Sequence, residues 1–174
     1  MKATKDLTII GLYTALLIGG QIALFSVSGI EIITLLFTAY AFYFGALRGC
    51  VLATTFSLLR CFVFGFFPNV LILYLVYYIL FVIIIGNVGK LMQRKLNVKK
   101  HILVVLVVVL LTALFTVIDN VVTPTFYGYL PDATKAYWVA SLTALIPQIV
   151  CAGVSVGVLL PPLVKMFEKL NLNK

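Results

Sequence analysis

The chain has 174 residues, 63% of them apolar and 10% charged, with a mean hydropathy of +1.19 and a formal net charge of +8. A water-soluble domain carries about 25% charged residues to keep its surface wet, so a soluble globular fold is excluded and apolar side chains must face lipid as well as one another. The positive charge then reports on membrane topology and on contact with anionic lipid, not on nucleic-acid binding.

Charge-free runs set the elements, because a transmembrane helix needs about 20 mostly apolar residues. Residues 7–30 form the first run, after Lys2 and Lys5, and 32–47 the second. The third run, 61–89, is broken by Gly65-Phe66-Phe67-Pro68-Asn69, a cluster of turn formers. Residues 101–118, closed by Asp119, and 136–164 complete the series. The reading is an all-α, polytopic bundle of six transmembrane helices in a single domain. Its spans lie near 6–27, 31–47, 50–66, 69–92, 101–122 and 137–167. Span 50–66 is the doubtful one, being short and containing Arg60.

The distribution of basic residues tests that count, since Lys and Arg stay on the cytoplasmic side of short loops. Six spans put Lys2, Lys5, Arg48, Lys90, Arg94, Lys95, Lys99, Lys100, Lys165, Lys169 and Lys174 inside, with Lys135 outside and Arg60 in the membrane. If 50–66 only dips into the bilayer, the best division of the twelve others falls to eight against four. Six spans, with both termini cytoplasmic, is therefore expected. The N-terminus also resembles a secretory signal, with Ser26-Val27-Ser28 as a small-x-small site. A signal core is only about 7–15 residues long, which the uninterrupted first run exceeds, so cleavage is not expected.

Cys50, Cys61 and Cys151 fall within spans without CxxC spacing and read as small buried hydrophobes. His101, beside Lys99 and Lys100, has no partner for a metal site. No phosphate loop, nucleophile elbow or paired carboxylates are present. Neither enzymatic chemistry nor a cofactor is expected.

Three features exceed a generic bundle. Gly11, Ala15, Gly19 and Ala23 recur every fourth residue and share one helix face, a groove that lets another helix backbone approach closely. Packing against the chain's own helices is the competing account. Polar groups gather toward the outer ends of the spans: Glu31, Arg60, Asn69, Thr112, Thr116, Asp119, Asn120, Trp138 and Gln148. Intramembrane ionisable groups are functional or internally paired, and Arg60 with Glu31 or Asp119 would be such a pair. Aromatic residues crowd the same side. An interfacial belt accounts for most of them, but Tyr74 and Tyr77 or Tyr78 lie within span four and suit a small-molecule pocket. Residues 123–137, TPTFYGYLPDATKAY, read as the longest external loop, a lid or a connector.

The stretches FGALRG at 44–49, SLLRCFVFGFFPN at 57–69 and IPQIVCAGVSVGVLLPPL at 146–163, with the small-residue stripe on helix one, resemble the substrate-binding S component of energy-coupling factor (ECF) transporters. That resemblance implies a subunit which captures a vitamin or related micronutrient from outside. It implies docking through helix one, at Gly11, Ala15, Gly19 and Ala23, onto a transmembrane coupling subunit powered by two ATPases, and residence in the cell membrane. The family's usual alanines are partly replaced by glycine here. Arg60, Asn69, Tyr74, Asp119, Asn120, Trp138 and Gln148 are the expected ligand-binding residues. Two other classes remain open: a stand-alone secondary carrier or exporter, for which inverted repeats are expected, and a structural subunit of a membrane complex.

Overall fold

In the computed structural model, which describes residues 2–24 and 32–170, the described chain is all α. The helices are α1 (Lys2–Ala23), α2 (Ile32–Phe44), α3 (Ala46–Phe64), α4 (Pro68–Leu91), α5 (Val98–Tyr127) and α6 (Pro131–Lys169). All but α2 are long and apolar enough to cross a membrane. Glu31, Ser26-Val27-Ser28 and Lys174 lie outside the described residues.

The turn at 65–69 forms as its composition dictates. Gly65 takes φ 93° after the end of α3, and Pro68 opens α4, the first-turn position where its missing N–H costs nothing. Span three reaches 19 residues, and the short helix is α2 instead, with 13. At 1.5 Å per residue α2 is only about 20 Å long, less than the roughly 30 Å hydrocarbon core. Every side chain from Thr34 to Phe44 is buried by protein, so α2 is the axis about which the other helices pack. Its boundary with α3 is a single residue, Gly45 at φ 93°, a conformation open to glycine.

The expected loop over 123–137 is corrected to a three-residue connection, 128–130. α5 continues through Pro124 to Tyr127 and ends in a left-handed Gly128 at φ 62°, where the Gly128 and Tyr129 amides donate to Thr125 and Pro124 carbonyls. This is a glycine C-cap. Pro131 then sits in the first turn of α6. Gly128 and Pro131 thus punctuate helix ends, and Pro124 is carried within α5, rather than all three marking an extended loop.

Tertiary contacts collect the basic helix ends. Asp6 of α1 pairs with Arg48 of α3 at 2.9 Å. Tyr43 of α2 donates to the Phe167 carbonyl of α6 at 3.1 Å, and Lys100 of α5 donates to the Met92 carbonyl after α4 at 3.1 Å. The starts of α1, α3 and α5 and the ends of α2, α4 and α6 therefore share one end of an up-and-down bundle. A core of Leu17, Phe37, Tyr40, Phe42, Leu52, Phe56, Phe81, Ile85, Val104, Val156 and Leu160 joins all six helices.

Two glycines of α4 permit its closest packing. A Cβ on Gly86 would strike the Ala46 backbone nitrogen, and one on Gly89 the Phe42 carbonyl oxygen. Backbone cannot yield there as a side-chain tip can. Gly86→Ala should therefore lower stability by about 1–3 kcal/mol through overpacking, read as a lower thermal-unfolding midpoint in detergent. Gly157→Ala, where nothing lies within 4 Å of the added carbon, should stay within about 0.5 kcal/mol.

Candidate functional site

At the end of the bundle opposite the basic cluster, polar side chains from α1, α3, α4, α5 and α6 form two groups on either side of Phe115. The first contains Gln21, Arg60 and Tyr74. The Arg60 guanidinium lies 4.6 Å from the Tyr74 ring centroid and 5.0 Å from that of Phe64, a cation–π clamp between α3 and α4. Gln21 of α1 donates to the Tyr74 hydroxyl at 3.5 Å. The Arg60 Nε and Gln21 Oε1 atoms are buried without a hydrogen-bond partner.

The second group lies between α5 and α6. Asp119 accepts from Thr123 and from Tyr137, both at 2.6 Å. Asn120 donates through Nδ2 to Ser141 at 2.7 Å, while its Oδ1 is buried and unpaired. Phe115, Thr116, Asp119, Tyr137, Ala140, Ser141, Ala144 and Gln148 enclose a cavity of about 230 Å³. Asp119 is thus held by hydroxyls, and the described residues show no Arg60–Asp119 ion pair, which corrects that expected pairing. Arg60 and Glu31 cannot be compared, since Glu31 lies outside the described residues.

Phe115 connects the groups: its ring is 6.2 Å from Tyr74 and 4.7 Å from Tyr77, and it walls the cavity. Asn69 joins from the rim, accepting from Tyr127 at 3.1 Å. Tyr127, Tyr129 and Tyr137 follow with ring centroids 6.0 Å apart, leading back to Asp119. Of the expected binding residues, Asp119, Asn120 and Gln148 come together, and Arg60 and Tyr74 form the neighbouring group. Asn69 is linked through tyrosines. Trp138 stands apart, 39% exposed, and does not wall the cavity. Tyr77 and Tyr78 belong to the aromatic core with Phe37, Phe56 and Phe81.

Sequence reasoning missed Gln21, Ser141 and Phe115. Gln21 carried a signal, being an amide within the apolar run 7–30; Ser141 and Phe115 carried none. No group of three or more His, Cys, Asp or Glu able to hold a metal occurs among the described residues.

The cavity is smaller than ordinary ligand pockets of about 300–1,000 Å³, but its α6 wall is weakly held. All buried side chains of α6 lie from Ala152 onward, and regions with few buried contacts open most readily. A separate surface is formed by α1. Gly11, Ala15, Gly19 and Ala23 are all exposed, and nothing lies within 4 Å of a Cβ built on Gly11 or Gly19. The small-residue groove is not occupied by the chain's own described helices.

Comparison with protein-family models, curated proteins and solved structures yields no match.

A ligand in the cavity would lie next to Asn120, which is bonded to the lining Ser141 and whose orphaned Oδ1 is costly to bury until paired. With any small molecule retained on gentle purification as probe, identified by native mass spectrometry, Asn120→Ala and Gln148→Ala should each weaken binding by about 1–3 kcal/mol, and Trp138→Ala, at a residue off the cavity wall, should leave it unchanged. Unchanged retention in both the Asn120 and Gln148 variants would move the site elsewhere.

Proposed function

We propose that the chain is the ligand-capturing membrane subunit of an importer, an ECF-type S component that docks onto a transmembrane coupling subunit driven by two ATPases. The observation that carries this reading is the open stripe on α1. Its four small residues face outward along most of the helix, while the Leu17 side chain on the inward face is fully buried. In lipid, where apolar surface gives no drive for association, such grooves bring helix backbones into close contact. A partner helix of the coupling subunit fits it.

The polar cavity supports ligand capture from outside. It lies in the half of the bundle toward the aromatic-rich end, where Phe66, Phe67, Phe126, Tyr127 and Tyr129 are exposed, an interfacial belt. The basic residues at the other end favour a cytoplasmic placement for it and for both termini, with six crossings of the cell membrane. α2 takes part as a protein-enclosed half-length span. A vitamin-like molecule with both ring surface and polar edges matches the Tyr74, Phe115 and Tyr137 rings beside the Arg60, Asn120 and Gln148 polar groups. Binding and hand-over, not catalysis, is the role of these residues.

Bulky replacements test the docking face. Ala15→Leu and Gly19→Leu should abolish copurification of the coupling subunit and uptake while retaining ligand, because exposed positions on α1 tolerate size without loss of fold. Loss of ligand with intact association would assign the stripe to internal packing.

Topology is tested separately by site-directed labelling. A cysteine placed at Asn97, exposed at the start of α5, should resist membrane-impermeant thiol reagent in intact cells and react after permeabilisation. Labelling from outside would sink the six-span orientation.

A further inference from the structure

We infer that the cavity at the basic end of the bundle binds the headgroup of a singly charged anionic phospholipid, with the phosphate held by Lys95 and Lys165. This cavity, of about 480 Å³, is bounded on one side by Lys95, Leu96, Asn97, Val98 and His101, and on the other by Pro161, Val164, Lys165 and Glu168. It is distant from the polar site described above, and the import reading makes no use of it.

The walls are amphipathic in the manner a phospholipid requires. Leu96, Val98, Pro161 and Val164 offer apolar surface, and Lys95 and Lys165 bring ammonium groups from opposite sides. With Glu168 counted, the lysines and carboxylate sum to +2 − 1 = +1, which suits a phosphodiester of one negative charge better than a dianion. Asn97 caps α5 without a side-chain hydrogen bond, so the first amides of that 30-residue helix add donors and a positive dipole end.

His101 supplies the independent observation. Its Nε2 lies 2.9 Å from the Gly157 carbonyl oxygen, and a carbonyl only accepts, so Nε2 carries a proton. That carbonyl is free because the residue four positions on is Pro161, which has no N–H to return. With Nε2 committed, Nδ1 is the ring's remaining hydrogen-bonding atom, and it is buried with no partner among the described residues. A headgroup hydroxyl, as in a phosphoglycerol lipid, pairs with it while the phosphate meets the lysines. Basic pockets between transmembrane helices recognise anionic headgroups by this combination of charge and apolar wall.

The test is native mass spectrometry of the full chain in detergent with equal amounts of dioleoyl phosphatidylglycerol and dioleoyl phosphatidylcholine. Wild type should retain the glycerol lipid preferentially, by roughly 10–30-fold for two lysine contacts. The double variant Lys95→Gln/Lys165→Gln should fall to near parity. Lys90→Gln/Lys99→Gln removes equal charge from the same end without touching the cavity and should keep the preference. All four lysines are exposed, and matching circular dichroism confirms folding of each variant. Full preference in the first double variant, or equal loss in the second, overturns the site. Displacement of the lipid by equimolar inorganic phosphate overturns the lipid assignment in favour of a free anion.

Discussion

Backbone contact between α4 and the α2–α3 corner sets the positions of the other helices. Gly86 and Gly89 let α4 lie directly on Ala46 and Phe42, and the corner itself turns on Gly45 alone. Because α2 is too short to span alone, it must be enclosed, and enclosure requires neighbours to come within backbone distance on at least one side. The aromatic side chains then fill the remaining space: Phe37 stacks on Tyr78 at 4.5 Å and Tyr40 packs on Tyr13 at 4.8 Å. Tyr13 also donates to the Leu36 carbonyl at 3.1 Å, which ties α1 to the same axis.

Burial around α2 is uneven along the bundle, and chemistry follows that unevenness. Toward the basic end α6 packs through Ala152, Val156, Leu160, Val164 and Phe167, whereas its first half buries none of its side chains fully. The polar groups of α5 lie opposite that looser half. Asp119 and Asn120 find hydroxyl partners across the α5–α6 gap, a polar seam in place of an apolar one. Helices joined by such a seam can part and re-form it with a ligand or water, since neither surface needs the other to exclude solvent. A close-packed apolar seam lacks that freedom.

Much of this was legible in the sequence where local chemistry decides the outcome. The turn at Gly65–Asn69 and the gathering of lysines at alternate helix ends follow from residue type and spacing, whereas the direction in which the small-residue stripe of α1 faces was left open between a partner and internal packing. Two features were not legible. The shortness of α2 escaped because apolar residues buried in protein and apolar residues facing lipid look alike in composition. The 123–137 segment read as a loop because Pro124, Gly128 and Pro131 are turn formers, yet two of them mark helix ends and Pro124 continues the helix. In the site, Asp119, Asn120 and Gln148 were recoverable as polar residues in apolar surroundings. Phe115 was not, since its place between two polar groups is a product of tertiary packing alone.

The prolines of α6 show how one helix can serve both a fixed and a movable part. Pro161 leaves the Gly157 carbonyl without its helical donor, and His101 of α5 replaces that donor at 2.9 Å. The inner part of α6 is thereby fastened to α5 at the point where the proline would otherwise weaken it. Pro147 leaves the Thr143 carbonyl in the same condition, but among the described residues no side chain of another helix donates to it, and the Thr143 hydroxyl bonds instead to Ala140 at 2.6 Å. A proline without a staple bends more readily than one with it. Pro147 also adjoins Gln148 in the cavity wall, so bending there changes the cavity while leaving the stapled half in place. α1 packs on α2 and α3, on the fixed side of that division. The open face of α1 therefore lies on the fixed side of that division, and the α5–α6 cavity on the side where α6 bends most readily.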